Sequence, residues 1–183
     1  MIEKTNKIFD FAPISKRATA YLLDGLFLGL LHNSLLYLLP NCFYNYVLVS
    51  LVLLLYKPLL ESSSKKASLG KLALGIAVTD QQGKKITFHR SMLRNLPNIA
   101  TTLLAFPLME KLYQNGLVNS QSLDPIIKFI ENLLIQEPQF QILQLMISLI
   151  FTNNVLLYLL DRRSRSLGDR LASTFVLNND KNQ

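Results

Sequence analysis

Apolar positions in this chain are gathered into long blocks separated by short polar segments. Residues 18–39 read ATAYLLDGLFLGLLHNSLLYLL. As a helix this block rises about 33 Å, enough to cross a bilayer. Pro40 and Asn41 mark a turn, and residues 43–60 form a second block, FYNYVLVSLVLLLYKPLL. So short a connection implies an antiparallel helical hairpin. A third block, about 92–109, is broken by Pro97 and Pro107 and carries Asn98, Thr101 and Thr102 near its centre. It predicts a tilted, kinked or partly re-entrant helix whose polar side chains face protein. The fourth block is about 142–160.

The intervening segments carry different patterns. Residues 61–91 are polar and basic. Within them, 76–79 and 86–88 predict two short strands around a turn containing Gly83, a small β-hairpin. Residues 68–75, SLGKLALG, predict a short interfacial helix or a close turn. In 124–136, Asp124 is placed as an N-cap with Pro125 at the first helical position. Ile126, Ile127, Ile130, Leu133 and Leu134 then recur at helical spacing, with Lys128, Glu131 and Asn132 opposite. This predicts an amphipathic helix on the outer membrane surface, with a fifth, buried segment as the alternative. The tail contains LASTFVL (171–177), a run able to add a strand to the hairpin.

Charge sets the expected sidedness. Lys and Arg number four in residues 1–17, eight in 57–94, two in 110–140 and five in 161–183. By the positive-inside rule, both termini and the 61–91 segment are cytoplasmic, and 124–136 is external. The predicted fold class is therefore an all-α integral membrane protein. It is one domain over 1–183, a four-transmembrane-helix bundle with a small cytoplasmic β-hairpin and both termini cytoplasmic. A multi-pass membrane protein follows, and the resemblance given below implies that its membrane is a prokaryotic cytoplasmic or inner one. No cleavable leader is expected, because the first block is too long for one.

Composition refines the partners. The net charge of +7 comes from basic residues interleaved with apolar spans, which fits an anionic phospholipid surface rather than nucleic acid. The lone cysteine, Cys42, offers no internal disulfide. Two distant histidines, His32 and His89, do not make a zinc site. Neither a metal nor a cofactor is expected, nor a soluble-type enzyme: no nucleophile triad or nucleotide fingerprint is present.

Candidate chemistry begins with Asp24, a carboxylate inside the first block. Ionisable groups at such depth are costly unless paired, solvated or protonated. Arg17 lies nearly two turns before it, about 10 Å along the axis, on the same face. Asp24 is thus either a proton- or cation-binding carboxylate tuned by nearby arginines, or a structural knot between helices. Gly25 and Gly29 provide a GxxxG spacing that permits close helix approach. His32 and Asn33 lie further along as a relay partner or a packed polar pair. Lys71 is expected at lipid phosphate or a helix C-terminus. Arg90 and Arg94, four apart, serve as positive-inside anchors or as partners for Asp24 or Asp169. In the tail, Asp161 and Asp169 alternate with Arg162, Arg163, Arg165 and Arg170, predicting an Asp–Arg network folded onto the membrane face.

Three motifs in order carry a resemblance. Lys16-Arg17-Ala18-Thr19-Ala20-Tyr21-Leu22-Leu23-Asp24 opens the chain's first span. Ala67-Ser68-Leu69-Gly70-Lys71 runs through Gly75 to Ala77-Val78-Thr79-Asp80 and Gly83. Ser166-Leu167-Gly168-Asp169-Arg170-Leu171-Ala172-Ser173-Thr174 closes it. Over about residues 14–178 the chain resembles the RDD family of small bacterial and archaeal membrane proteins. It departs from that pattern at Ser68, where threonine is usual, and at Gly168, where histidine is common. Some members of that family are linked to exchange of Na+ or Li+ for protons, and the resemblance implies that activity as a candidate here. Asp24 would be the ion or proton site, Arg17 would set its charge state, and Asp169 would be a mouth group or clasp. Four helices make a thin wall for a pathway, so a second copy or another membrane protein is an expected partner. The competing reading is a non-catalytic accessory, assembly or regulatory subunit that binds a protein partner or anionic lipid.

Overall fold

The computed structural model describes residues 10–119, 122–161 and 165–178. Helix α1 (Ile14–Leu38) follows Pro13 and stops where Leu39 turns extended ahead of Pro40. α2 (Phe43–Leu54) and α3 (Tyr56–Glu61) form one rod interrupted at Leu55. Pro58 explains the interruption: it has no N–H to offer the Leu54 carbonyl one turn back. α4 (Leu69–Ala73) leads into β1 (Ile76–Asp80), and α5 (Phe88–Gln114) follows, with Pro97 and Pro107 inside it. A 3-10 turn (Leu117–Asn119), α6 (Asp124–Gln136), α7 (Pro138–Leu160), α8 (Leu167–Leu171) and β2 (Thr174–Asn178) complete the order.

Three of these segments, Ile14–Leu38, Phe43–Glu61 and Pro138–Leu157, are long and apolar enough to cross a membrane. Their side chains point outward: Leu26 is 65% exposed and Leu149 is 67% exposed. In water that surface would not stay bare; lipid is the medium that suits it. α5 exceeds the expected third span at both ends, and its polar and charged residues keep it out of this apolar set. α6 occupies the expected 124–136, although its cap falls one residue earlier, at Leu123.

The expected hairpin does not form. Residues 86–88 make no strand; Thr87 instead caps α5 by accepting from the Arg90 N–H at 3.4 Å, and Ile86 is buried in the core. The turn itself is built by Asp80, whose Oδ1 accepts the N–H groups of Gln82 and Lys84, each at 2.8 Å. β1 pairs antiparallel with β2 from the tail, in the register Val78 to Val176. The tail offers five consecutive residues, four of them buried, where 86–88 offered at most three before a helix cap. The edge of β2 is then bridged by Phe11, with the Ala12 N–H donating to the Val176 carbonyl at 3.0 Å. Ala12, Ala20, Ile76, Val78, Ile86 and Val176 make the apolar core beneath the sheet.

The chain also repeats itself. Ser68-Leu69-Gly70 and Ser166-Leu167-Gly168 each open a five-residue helix from an extended cap, at φ/ψ −69/169 and −70/170. Each helix ends in a residue with positive φ at the same spacing, Gly75 at 62° and Ser173 at 52°. Each is followed at once by a five-residue strand. Val78 and Val176, the equivalent residues, face one another at the centre of the strand pair. α4 packs on α1, and α8 packs on α5. The molecule is thus two copies of one unit, long helix, long helix, short helix, strand, with α6 inserted in the second.

Candidate functional site

The two short helices must approach the long ones closely, and glycine permits it. A Cβ at Gly70 would overlap the Ala20 carbonyl of α1, and one at Gly168 would overlap the Arg94 carbonyl of α5. Gly25 and Gly29 have nothing within 4 Å of such a Cβ, so the expected close approach lies elsewhere.

Asp24, 1% exposed, closes the first of these contacts. Its Oδ2 accepts from the Ser68 hydroxyl at 2.5 Å. Its Oδ1 accepts from the Gly70 N–H at 2.8 Å and the Tyr56 hydroxyl at 3.2 Å. The Tyr56 oxygen also accepts the Leu69 N–H at 3.0 Å. α1 therefore supplies, from outside, the acceptor for the first-turn N–H groups that α4 cannot satisfy itself.

Asp169 does the corresponding work within its own helix. Ser166 and Asp169 form a capping box: the Asp169 N–H donates to the Ser166 hydroxyl at 3.1 Å, and the Ser166 N–H donates to Asp169 at 3.0 Å. The same carboxylate accepts from Arg17, from Arg94 Nε at 2.6 Å and from the Thr174 hydroxyl at 3.3 Å. Burial alone would raise its pKa; Arg94 and Arg17 overcome that and hold it well below the usual carboxylate range. Lys71 occupies the equivalent position in the first unit, and a cation cannot build the box, which is why Asp24 is needed there.

Glu61, which the sequence pattern left as the mere border of a span, is 1% exposed at the end of α3. It pairs with Lys71 and with Arg94 at 2.9 Å, and accepts from Ser91 and Asn95, each at 3.3 Å. Lys71 is turned in against Glu61, with its side chain 13% exposed. Burial and Arg94 lower its pKa and Glu61 opposes them, leaving it at about 8. The only signal for Glu61 in the sequence was an acid following PLL, and that gives no hint of burial.

Between the units lies a polar cavity of about 70 Å3, reached by Arg17, Tyr21, Asp24, Lys57, Glu61 and Asn98 among others. Lys57 sits over the Tyr21 ring, 4.2 Å from its centroid. Arg17 reaches Asp169, not Asp24, and Arg94 joins Asp169 to Glu61. Arg90 stands outside this cluster, half exposed and 4.0 Å from Asp80, because it follows the cap of α5 by only three residues and faces solvent. Arg170 likewise points away, to Asp161 at 3.6 Å, which also accepts from Arg165 at 2.8 Å. Arg162 and Arg163 lie outside the described residues. His32 bonds Ser50 at 3.2 Å and packs on Tyr46, and Asn33 returns to the Gly29 carbonyl at 2.9 Å. Among the described residues, no three His, Cys, Asp or Glu side chains converge as metal ligands.

The family model described as RDD family matches residues 11–173, a stretch that contains Arg17, Asp24 and Asp169 together with both short-helix motifs. The chain belongs to the RDD family. No curated protein and no solved structure matches it. Within this RDD-family chain, the arginine and the two aspartates are the groups that fasten the short helices to the long ones and to each other.

Proposed function

We propose that this RDD-family chain is a small-ion transport protein that exchanges Na+ or Li+ for protons, with Asp24 as the ion- or proton-accepting group. Its setting is a four-crossing bundle in which α5 is the third span and the Lys/Arg-rich short helices, sheet and termini lie on the cytoplasmic side. One observation carries this. Among the described residues, three carboxylates are buried; Glu61 and Asp169 are ion-paired, whereas the hydrogen-bond partners of Asp24 are the neutral donors Ser68, Gly70 and Tyr56. A carboxylate in an apolar helix, beside a cavity and without a cation in contact, is the group for which a proton or small cation supplies the missing charge. The test is Na+- or Li+-driven proton flux in proteoliposomes, comparing the native chain with Asp24→Asn at matched reconstitution. Flux that disappears in a folded variant supports exchange.

A second reading, a non-transporting accessory subunit, is favoured by the trans-capping role of Asp24. Both carboxylate oxygens already serve α4. Folded native protein without flux across a broad pH range would select it.

A further inference from the structure

We propose that Asn98 is the second unit's counterpart of Asp24 and, with Tyr21, completes a site at that carboxylate for one small monovalent cation, Na+ or Li+. The inference rests on the reading of Asp24 as an ion-binding group and names the other ligands of the same site.

The repeat sets the equivalence. Asp24 is the eleventh residue of α1, and Asn98 is the eleventh of α5. The short helices give the same alignment independently. Gly70 meets the Ala20 carbonyl and Gly168 meets the Arg94 carbonyl. Asp24 and Asn98 follow those two residues by four, about one helical turn. Both side chains line the cavity between the units.

The two positions carry different duties. In the first unit the short helix has Lys71 where the second has Asp169, and Asp24 supplies the missing acceptor for α4. In the second unit Asp169 caps α8 from within. Asn98 is thereby released from capping, and its Oδ1 accepts instead from the Tyr21 hydroxyl at 3.5 Å. An amide held midway along an apolar bundle without a capping role is a group that a ligand can use.

Lone pairs decide the class of ligand. A carboxylate offers about four acceptor sites. Ser68, Gly70 and Tyr56 use three of them. The Asn98 oxygen has a second lone pair beyond the one given to Tyr21, and the Tyr21 oxygen can itself accept. These are hard oxygen donors, one charged and two neutral. Oxygen donors suit hard cations, and the number of charged ligands tunes the affinity. One carboxylate balances a monovalent ion and leaves a divalent one half compensated. The cationic side chains on the cavity wall face other groups: Arg17 and Arg94 reach Asp169, Lys71 reaches Glu61, and Lys57 rests on the Tyr21 ring.

The experiment follows the Tm of the full chain in phosphatidylcholine nanodiscs as NaCl or LiCl replaces choline chloride. MgCl2 and CaCl2 form a divalent arm at matched ionic strength. Asn98→Leu, Asn98→Asp and Asp24→Asn are measured beside a control, Asn33→Leu, whose amide returns to its own helix. The expected result is a saturable rise in Tm with Na+ or Li+ in the native chain and in Asn33→Leu, and its loss in Asp24→Asn. In Asn98→Leu the midpoint should move up roughly tenfold, as for one lost neutral contact. Asn98→Asp supplies a second charge and should give a saturable response to Mg2+ or Ca2+ that the native chain lacks. No saturable rise in the native chain overturns the proposal. So does a rise that persists in Asp24→Asn, or an unchanged midpoint in Asn98→Leu. If Asn98→Leu fails to fold, the divalent arm decides: folded Asn98→Asp without that response overturns the proposal. Proteoliposome flux separates the two readings. Binding that depends on Asn98, without flux, removes exchange and keeps the site. Flux with a native KM in Asn98→Leu keeps exchange and removes this site.

Discussion

Asp169→Asn isolates charge from shape. The amide keeps the size of the carboxylate but turns one acceptor into a donor. Arg17 and the Ser166 N–H would then face an N–H2 group, or Arg94 and Thr174 would, depending on the flip. In either orientation two guanidinium groups lose their shared counter-charge. The Arg17 and Asp169 side chains are 2% and 0% exposed, so solvent cannot take over. Removing one partner of a buried pair costs about 3–5 kcal/mol, against about 1 kcal/mol or less for an exposed one. Asp24→Asn should cost less, about 1–3 kcal/mol, because its donors are neutral and an amide oxygen still accepts from Gly70. The assay is equilibrium denaturation of both variants in the same detergent at pH 7. A loss below about 1 kcal/mol for Asp169→Asn, or a larger loss for Asp24→Asn, refutes the assignment of Asp169 as the charged centre of the clasp. The pH sign follows from the same group. Its native pKa lies below the ordinary value of 3.8, so its contribution is full above that value and is lost as pH falls further. Asp169→Asn should remove that acid-limb component.

Other outcomes follow from the same geometry. Gly168→Ala should reduce the yield of monodisperse protein sharply, since overpacking against a backbone carbonyl costs about 1–3 kcal/mol or more, while Gly25→Ala and Gly29→Ala should be near neutral in the same purification. Lys71, at about 8 in the native chain and 10.5 unfolded, releases its proton first in the native state. This site therefore makes stability rise between those pH values, and Lys71→Met should flatten that rise in pH-dependent denaturation. Arg90→Ala should change stability by no more than about 0.5 kcal/mol, because its partner lies 4.0 Å away at an exposed surface; a loss as large as that of Arg94→Ala would contradict the separation drawn between them.

Local pattern by itself determined the long elements. Apolar runs of bilayer length, the turn at Pro40 and the period of residues 126–134 are properties of consecutive residues, and helices appear where those patterns lie; the break at Leu55 and the earlier start of α7 at Pro138 were not read from them. The order of the three motifs was likewise legible and led to the family. Tertiary structure alone decided the pairings. Whether β1 joins 86–88 or 174–178 depends on which segment the helices bring alongside, and residues nearly a hundred positions apart leave no local trace. The partner of Asp24 could not be read from its neighbour Arg17, because seven residues along one helix do not bring two side chains into contact, while α4 supplies donors from across the fold. Glu61 illustrates the same limit. Its burial is imposed by Lys71, Arg94, Ser91 and Asn95, which arrive from two other elements, so it is a property of the assembled cluster rather than of any segment.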